Sequence, residues 1–170
     1  MTAIYLSLGS NIHRHQYITA ALDALVDLFG DLKISSVYES KSVGFNGSNF
    51  FNLVVGAETE LMLADLSEKL KKIEDENGRQ RSGPKFSPRT LDIDILTYGN
   101  FVGLDAGVAL PRAEITKNAF VLLPLAEIAP EIRHPGLQRT YAELWAAYDK
   151  NSQSLWAIDF LWRDRKISVA

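Results

Sequence analysis

The chain has 170 residues, 46% of them hydrophobic and 23% charged, with a net charge of −3 and no cysteine. That length suits one domain with a substantial core, so residues 1–170 are expected to fold as a single unit. The slight negative charge offers no footprint for nucleic acid or an anionic membrane, and the lack of cysteine excludes disulfides, thiol catalysis and thiolate metal sites. No apolar run approaches a membrane span, and the stretch 4–8 is too short for a signal-peptide core, so the expected setting is the cytoplasm.

In chain order, Ile4, Leu6 and Leu8 alternate with Tyr5 and Ser7, as on a strand. Gly9-Ser10-Asn11 is expected to turn the chain. Ile18, Ala21, Leu22, Leu25, Val26 and Phe29 recur with helical spacing, and Gly30 suits the C-terminal cap. Strands are expected over 33–39 and 51–58, separated by a loop too long for a tight hairpin. A second helix carries Leu63, Leu66, Leu70 and Ile73 on one face and should end near Asn77-Gly78. Residues 79–90, with Gly83, Pro84 and Pro88, are expected to be loop.

A strand over 91–98 comes next, then helices over 119–129 and 141–148, the last opened by a capping box of Thr140 and Glu143. The apolar tail from Leu155 to Trp162 should pack, with a strand as its expected form. The order βαββαβα is that of the ferredoxin-like α+β class, with a βαββαβ core, additional helices and a packed C-terminal tail.

The most informative segment is Pro88-Arg89-Thr90-Leu91-Asp92-Ile93-Asp94-Ile95. On a strand, Asp92 and Asp94 share one face and Leu91, Ile93 and Ile95 the other. Paired carboxylates repel unless a cation lies between them, and their hard oxygens suit Mg²⁺ completed by water and phosphate. Arg79, Arg81, Lys85 and Arg89 lie just upstream, and the planar arginine fork suits phosphate oxygens. Acids for metal beside arginines for phosphate make a coherent polyphosphate site. The blander alternatives are a solvated strand face for the aspartates and salt bridges from the arginines to Glu74, Asp75 and Glu76. No Gly-rich phosphate loop of the Walker type is present.

At these residues the sequence resembles the 6-hydroxymethyl-7,8-dihydropterin pyrophosphokinases. The likeness runs from Tyr5 to about Asp149 and includes Leu8-Gly9-Ser10-Asn11, Gly78-Arg79-Gln80-Arg81, the segment 88–95, Phe120 and Pro124-Leu125-Ala126-Glu127-Ile128-Ala129-Pro130. The resemblance implies a single pyrophosphokinase domain that moves pyrophosphate from ATP to the pterin alcohol, with AMP as the other product. It implies two Mg²⁺ ions on Asp92 and Asp94, triphosphate and transition-state contacts from Arg79, Arg81 and Arg89, and a loop-ordering role for Glu74. Ile95 would lie against adenine. The pterin would lie between Phe50 and Phe120, with Asn52 on its polar edge and groups near Ser40, Ser42 and Val43 completing recognition. The implied partners are these two small molecules, with no nucleic acid and no membrane, and the expected state is a monomer.

The chain departs from the family pattern in several places. Arg112 stands where a histidine is usual and is expected to reach the nucleotide phosphates. Asn118 replaces an arginine, and Gly107, Ala109 and Ala113 replace polar or aromatic residues. Phe86 stands for a tryptophan, Phe50 for a tyrosine and Lys41-Ser42 for two prolines. A diverged relative with weak ATP use or another acceptor and a non-enzymatic ferredoxin-like binding domain are the alternatives. An RNA-binding sheet using Phe50-Phe51 for base stacking lacks the basic strands it would need. His13, His15 and His134 have no zinc-ligand spacing, and Trp156 and Trp162 are expected to bury the tail.

Overall fold

The structure is a computed structural model that describes residues 1–41, 48–78 and 90–170. The first elements are β1 (Thr2–Ser10), α1 (Arg14–Phe29), β2 (Lys33–Ile34), β3 (Val37–Ser40), β4 (Phe50–Thr59) and α2 (Leu63–Glu76). They are followed by β5 (Asp92–Tyr98), β6 (Gly103–Asp105), β7 (Val108–Leu110), α3 (Glu114–Lys117), α4 (Ala119–Ile128) and α5 (Tyr141–Ala147). The tail adds β8 (Leu155–Ile158), β9 (Phe160–Trp162) and β10 (Arg165–Ser168).

The main sheet runs β5-β1-β4-β3-β8, with β2 also paired to β4, and all its pairings are antiparallel. The strands β1, β3, β4 and β5, with α1 after the first and α2 after the third, make the ferredoxin-like core. Apolar alternation on β1, β4 and β5 buries Ile4, Leu6, Leu8, Leu53, Val55, Ile93 and Ile95 against α1 and α2. The opposite face packs Val54 and Leu96 against Ile115, Leu122, Leu125 and Tyr141 from α3, α4 and α5. Ile95 and its neighbour Leu96 fall in different cores by ordinary strand alternation, and a register shift between Tyr5 and Leu6 sets Thr97 rather than Leu96 opposite Tyr5.

The helix ends follow the local chemistry. Gly30 at φ 77° donates its N–H to the Val26 carbonyl at 2.8 Å and ends α1, and Gly78 at φ 80° follows the end of α2. Thr140 and Glu143 form the expected capping box of α5. Helix α4 is fastened to the sheet by Glu127, whose carboxylate accepts from the Tyr38 hydroxyl at 2.8 Å and from the Ser36 N–H at 2.9 Å. Burial, then the Glu127 carboxylate, raises the Tyr38 pKa well above its usual value, so Tyr38 stays a donor.

Three expectations need correction. Gly9 and Ser10 do not turn the chain; they extend β1, because strands lie on both sides and Gly9 pairs with Asn52 and Asp92. The strand expected over 33–39 is broken at Ser35 and Ser36. There the Val54 N–H donates to the Ser35 hydroxyl at 2.9 Å, a side-chain acceptor interrupting the regular ladder. The tail forms three strands: β8 extends the main sheet beside β3, and β9 and β10 form a hairpin that buries Phe160 and Trp162 in the first core. The Trp162 indole N–H donates to Asp23 at 3.0 Å, whereas Trp156 remains exposed.

Candidate active site

Strand β5 lies at the edge of the sheet, and its alternation does what the sequence requires. Ile93 and Ile95 enter the core under α2, so Asp92 and Asp94 emerge on the face covered by α4. The buried carboxylate of Glu74, on α2, accepts the Ile93 N–H at 2.7 Å, tying the helix to the strand between the two aspartates. A cleft of about 430 Å³ opens along this edge. Its walls include Leu70 and Glu74 from α2, Asp92 and Asp94 from β5, and Ile95 beneath them.

The far wall brings together Gly107, Ala109, Arg112 and Ala113, which all line the cleft. The small side chains of Gly107, Ala109 and Ala113 leave it open, and its size is within the usual range of small-molecule sites. Arg112 sits between two acids, its Nη2 3.3 Å from Asp94 Oδ1 and its Nε paired with Glu114. Asp94 retains 42% of its side-chain exposure, but the cleft walls deprive it of water on the other sides. That desolvation raises its pKa to about 6; Arg112 pulls it down, while Asp92, Glu74 and Glu114 push it up.

Beside the acids, the register lays out a second patch. Asp92, Gly9, Asn52 and Tyr38 are successive cross-strand partners over four strands. Gly9 has no Cβ; one placed there would lie 3.4 Å from Asn52 Oδ1 and 3.7 Å from the Phe50 ring. The glycine is thus a flat floor between an amide and an aromatic ring. The Asn52 amide donates to the Ser40 hydroxyl at 2.7 Å, which fixes its orientation. Phe120, in the first turn of α4, packs at the margin of the core above this same face.

The fold therefore gathers Glu74, Asp92, Asp94, Ile95 and Arg112 in one cleft and Ser40, Phe50 and Asn52 in an adjoining patch. Arg79, Arg81, Arg89, Ser42 and Val43 lie outside the described residues. Phe51 points to the opposite face, where Phe160 meets it edge-on and Arg14 lies over its ring, so Phe50 and Phe51 cannot form one stacking platform. Ser67 and Lys71 also line the cleft. The helical spacing of Ser67, Lys71 and Glu74 is the signal that could have found them. His134 is structural, its Nδ1 accepting the N–H groups of Gly136 and Leu137.

Among the described residues no group of three or more His, Cys, Asp or Glu is placed to hold a metal ion. Mg²⁺ needs no such cage, because one or two carboxylates with water and phosphate complete its shell. Two acids on one face, with Asp94 already paired to a guanidinium, fit that requirement.

The pattern of the 7,8-dihydro-6-hydroxymethylpterin-pyrophosphokinase (HPPK) family matches residues 5–130. The chain belongs to the HPPK family. The 2-amino-4-hydroxy-6-hydroxymethyldihydropteridine pyrophosphokinase of Aquifex aeolicus is 42% identical over 137 residues, covering 79% of this chain and 85% of the relative. The protein of the same name from Haemophilus influenzae is 36% identical, covering 81% and 88%. A crystal structure of a triple mutant of Plasmodium falciparum HPPK-DHPS with pteroate superposes with a TM-score of 0.66 at 17% identity. That likeness covers 85% of this chain and 43% of the longer one, and it bears on the fold alone. In HPPK terms, the match spans both acids and Phe120 and stops before the tail.

Proposed function

We propose that this HPPK chain transfers pyrophosphate from ATP to the hydroxymethyl group of 6-hydroxymethyl-7,8-dihydropterin, a step of folate synthesis. The observation that carries the reading is the register: Asp92, on the wall of the cleft, is the direct strand neighbour of Gly9, the floor between Phe50 and Asn52. A nucleotide in the cleft would thus present its phosphates to an alcohol held on the patch.

In this reading ATP lies along β5 with adenine against Ile95, and Glu74 holds β5 to α2. Asp92 and Asp94 would hold the magnesium ions, which when bound neutralise triphosphate charge. Arg79, Arg81 and Arg89 are assigned to the triphosphate and the transition state on sequence alone, and Arg112 stands on the cleft wall beside Asp94. The pterin ring lies between Phe50 and Phe120, with the Asn52 amide on its polar edge and Ser40 steadying that amide; Ser42 and Val43 are assigned to its recognition on sequence alone. A flat ring with a donor and acceptor edge matches two aromatic rings and one oriented amide.

The hydroxymethyl oxygen forms a bond to the β-phosphorus, the bond from that phosphorus to the AMP oxygen breaks, and the hydroxyl proton is lost. The chain's part is alignment, charge compensation and exclusion of water. The whole chain is taken as one pyrophosphokinase domain, supported by the pairing of β8 with β3. A cytoplasmic monomer remains the expectation.

The test is to incubate the protein with ATP, Mg²⁺ and the pterin alcohol and to resolve the nucleotides. One AMP per pterin diphosphate is expected, with loss of turnover in Asp94→Ala. ADP as the product, or AMP release that does not depend on the pterin, overturns the assignment.

A further inference from the structure

Helix α4 begins at Asn118 in extended backbone, and the Asn118 side chain does not cap it. The Val121 and Leu122 N–H groups return to the Asn118 carbonyl, which leaves the first amide of the helix, Ala119, to be satisfied from outside. Gln153 does this from 34 residues away, its Oε1 accepting the Ala119 N–H at 2.8 Å. The same side chain donates through Nε2 to Asn118 Oδ1 at 3.0 Å and to the Lys117 carbonyl at 3.4 Å. Tyr148 adds its hydroxyl to that carbonyl at 2.7 Å. Pro124 lies inside α4 and has no N–H to offer the Phe120 carbonyl four residues earlier. The first turn of α4 is therefore short of internal bonds where it carries Phe120.

We propose that Gln153 is a positioning residue for Phe120. It caps α4 across the fold and fixes the corner between α3 and α4, and so sets how the Phe120 ring faces the Gly9 floor. Gln153 lies beyond the stretch that matches the family pattern, which ends at residue 130, so the resemblance assigns it no role. The proposal rests on the assignment of Phe120 to the pterin ring. It predicts a larger effect on the pterin than on the nucleotide, because most of the cleft comes from α2, β5 and β7, and Gln153 meets α3 only at its last residue, Lys117, not at the cleft-lining Glu114.

The experiment compares Gln153→Ala, Gln153→Glu and Phe120→Ala with the unaltered chain. Binding of 6-hydroxymethylpterin and of α,β-methylene ATP with Mg²⁺ is measured by fluorescence titration and calorimetry. Gln153→Ala should weaken the pterin analogue about fivefold, the effect of losing a helix cap, and change the nucleotide less than twofold. Gln153→Glu keeps an acceptor for Ala119 and should recover most of the pterin affinity. Equal weakening of both ligands, or unchanged pterin affinity in Gln153→Ala, overturns the proposal. Phe120→Ala separates the two layers: if it leaves pterin affinity intact, the assignment of Phe120 falls and the proposal with it. If Phe120→Ala weakens pterin binding and Gln153→Ala does not, only the proposal for Gln153 falls.

Discussion

Replacing Arg112 by alanine should make Asp92 and Asp94 a better site for a bare divalent cation. The guanidinium stands 3.3 Å from Asp94 Oδ1, where a cation drawn to both aspartates would compete with it. At that range the attraction would come to about 5 kcal/mol with moderate screening. Both side chains are about a third or more exposed, 34% and 42%, so solvent reduces the pair to roughly 1 kcal/mol. Removing it should tighten Mn²⁺ binding about fivefold, by the usual relation of energy to affinity. The titration, followed by electron paramagnetic resonance without nucleotide, belongs at pH 8. Asp94 titrates near 6, raised first by burial, and loss of Arg112 raises it further, so at lower pH a proton would compete with the metal. Binding of ATP in EDTA, measured on the same variant, should weaken, because a cation that can face phosphate is gone. Unchanged or weaker Mn²⁺ binding at pH 8 would refute the idea that Arg112 stands in the cation position.

Two further predictions concern the walls of the site. Asp94→Asn should stabilise the ligand-free protein by about 1 kcal/mol at pH 8, after discounting for exposure. The sign follows from a folded pKa near 6 above an ordinary value of 3.8: ionising Asp94 costs the folded state stability as pH rises from about 4 to about 6. The gain should therefore shrink in thermal melts as pH falls through that window; a gain that grows on acidification contradicts the burial argument. Gly9→Val should weaken pterin binding roughly tenfold, because even its first carbon meets Asn52 at 3.4 Å and Phe50 at 3.7 Å and its methyls fill the floor between them. Nucleotide affinity measured alongside should change little, and an equal loss of both would mean that the strand itself is disturbed.

Much of this was legible because it depends on period and spacing. Alternation alone puts Asp92 and Asp94 on one face and Ile93 and Ile95 on the other, and the core agrees. The capping box at Thr140 and the glycine stop at Gly30 are local chemistry, visible in a few letters. What the letters hid is tertiary. Gly9-Ser10 looks like a turn, and only two flanking strands make it an extension of β1. Ser35 looks like part of a continuous strand until its hydroxyl takes the Val54 N–H. Glu74 is one acid among three in a row, and nothing local says that it is the one buried against β5. The hold of Gln153 on Ala119 spans 34 residues and has no sequence period at all.

The positions expected to depart from the family pattern also take on different meanings once placed. Gly107, Ala109 and Ala113 act by what they lack, since each leaves part of the cleft wall low. Arg112 acts by charge, drawn toward Asp94 and Glu114. Asn118 belongs to neither class, because its Oδ1 is turned to Gln153 at 3.0 Å. A cation absent at 118 and present at 112 would look, in sequence, like one charge moved along the chain. In space the two positions do different work: residue 112 faces the acids of the cleft, and residue 118 anchors the corner from which α4 carries Phe120. An arginine returned to 118 would give up the bond to Gln153 before it could reach any phosphate. Residues 118 and 112 are therefore separate devices, one for how α4 is held and one for the charge of the cleft.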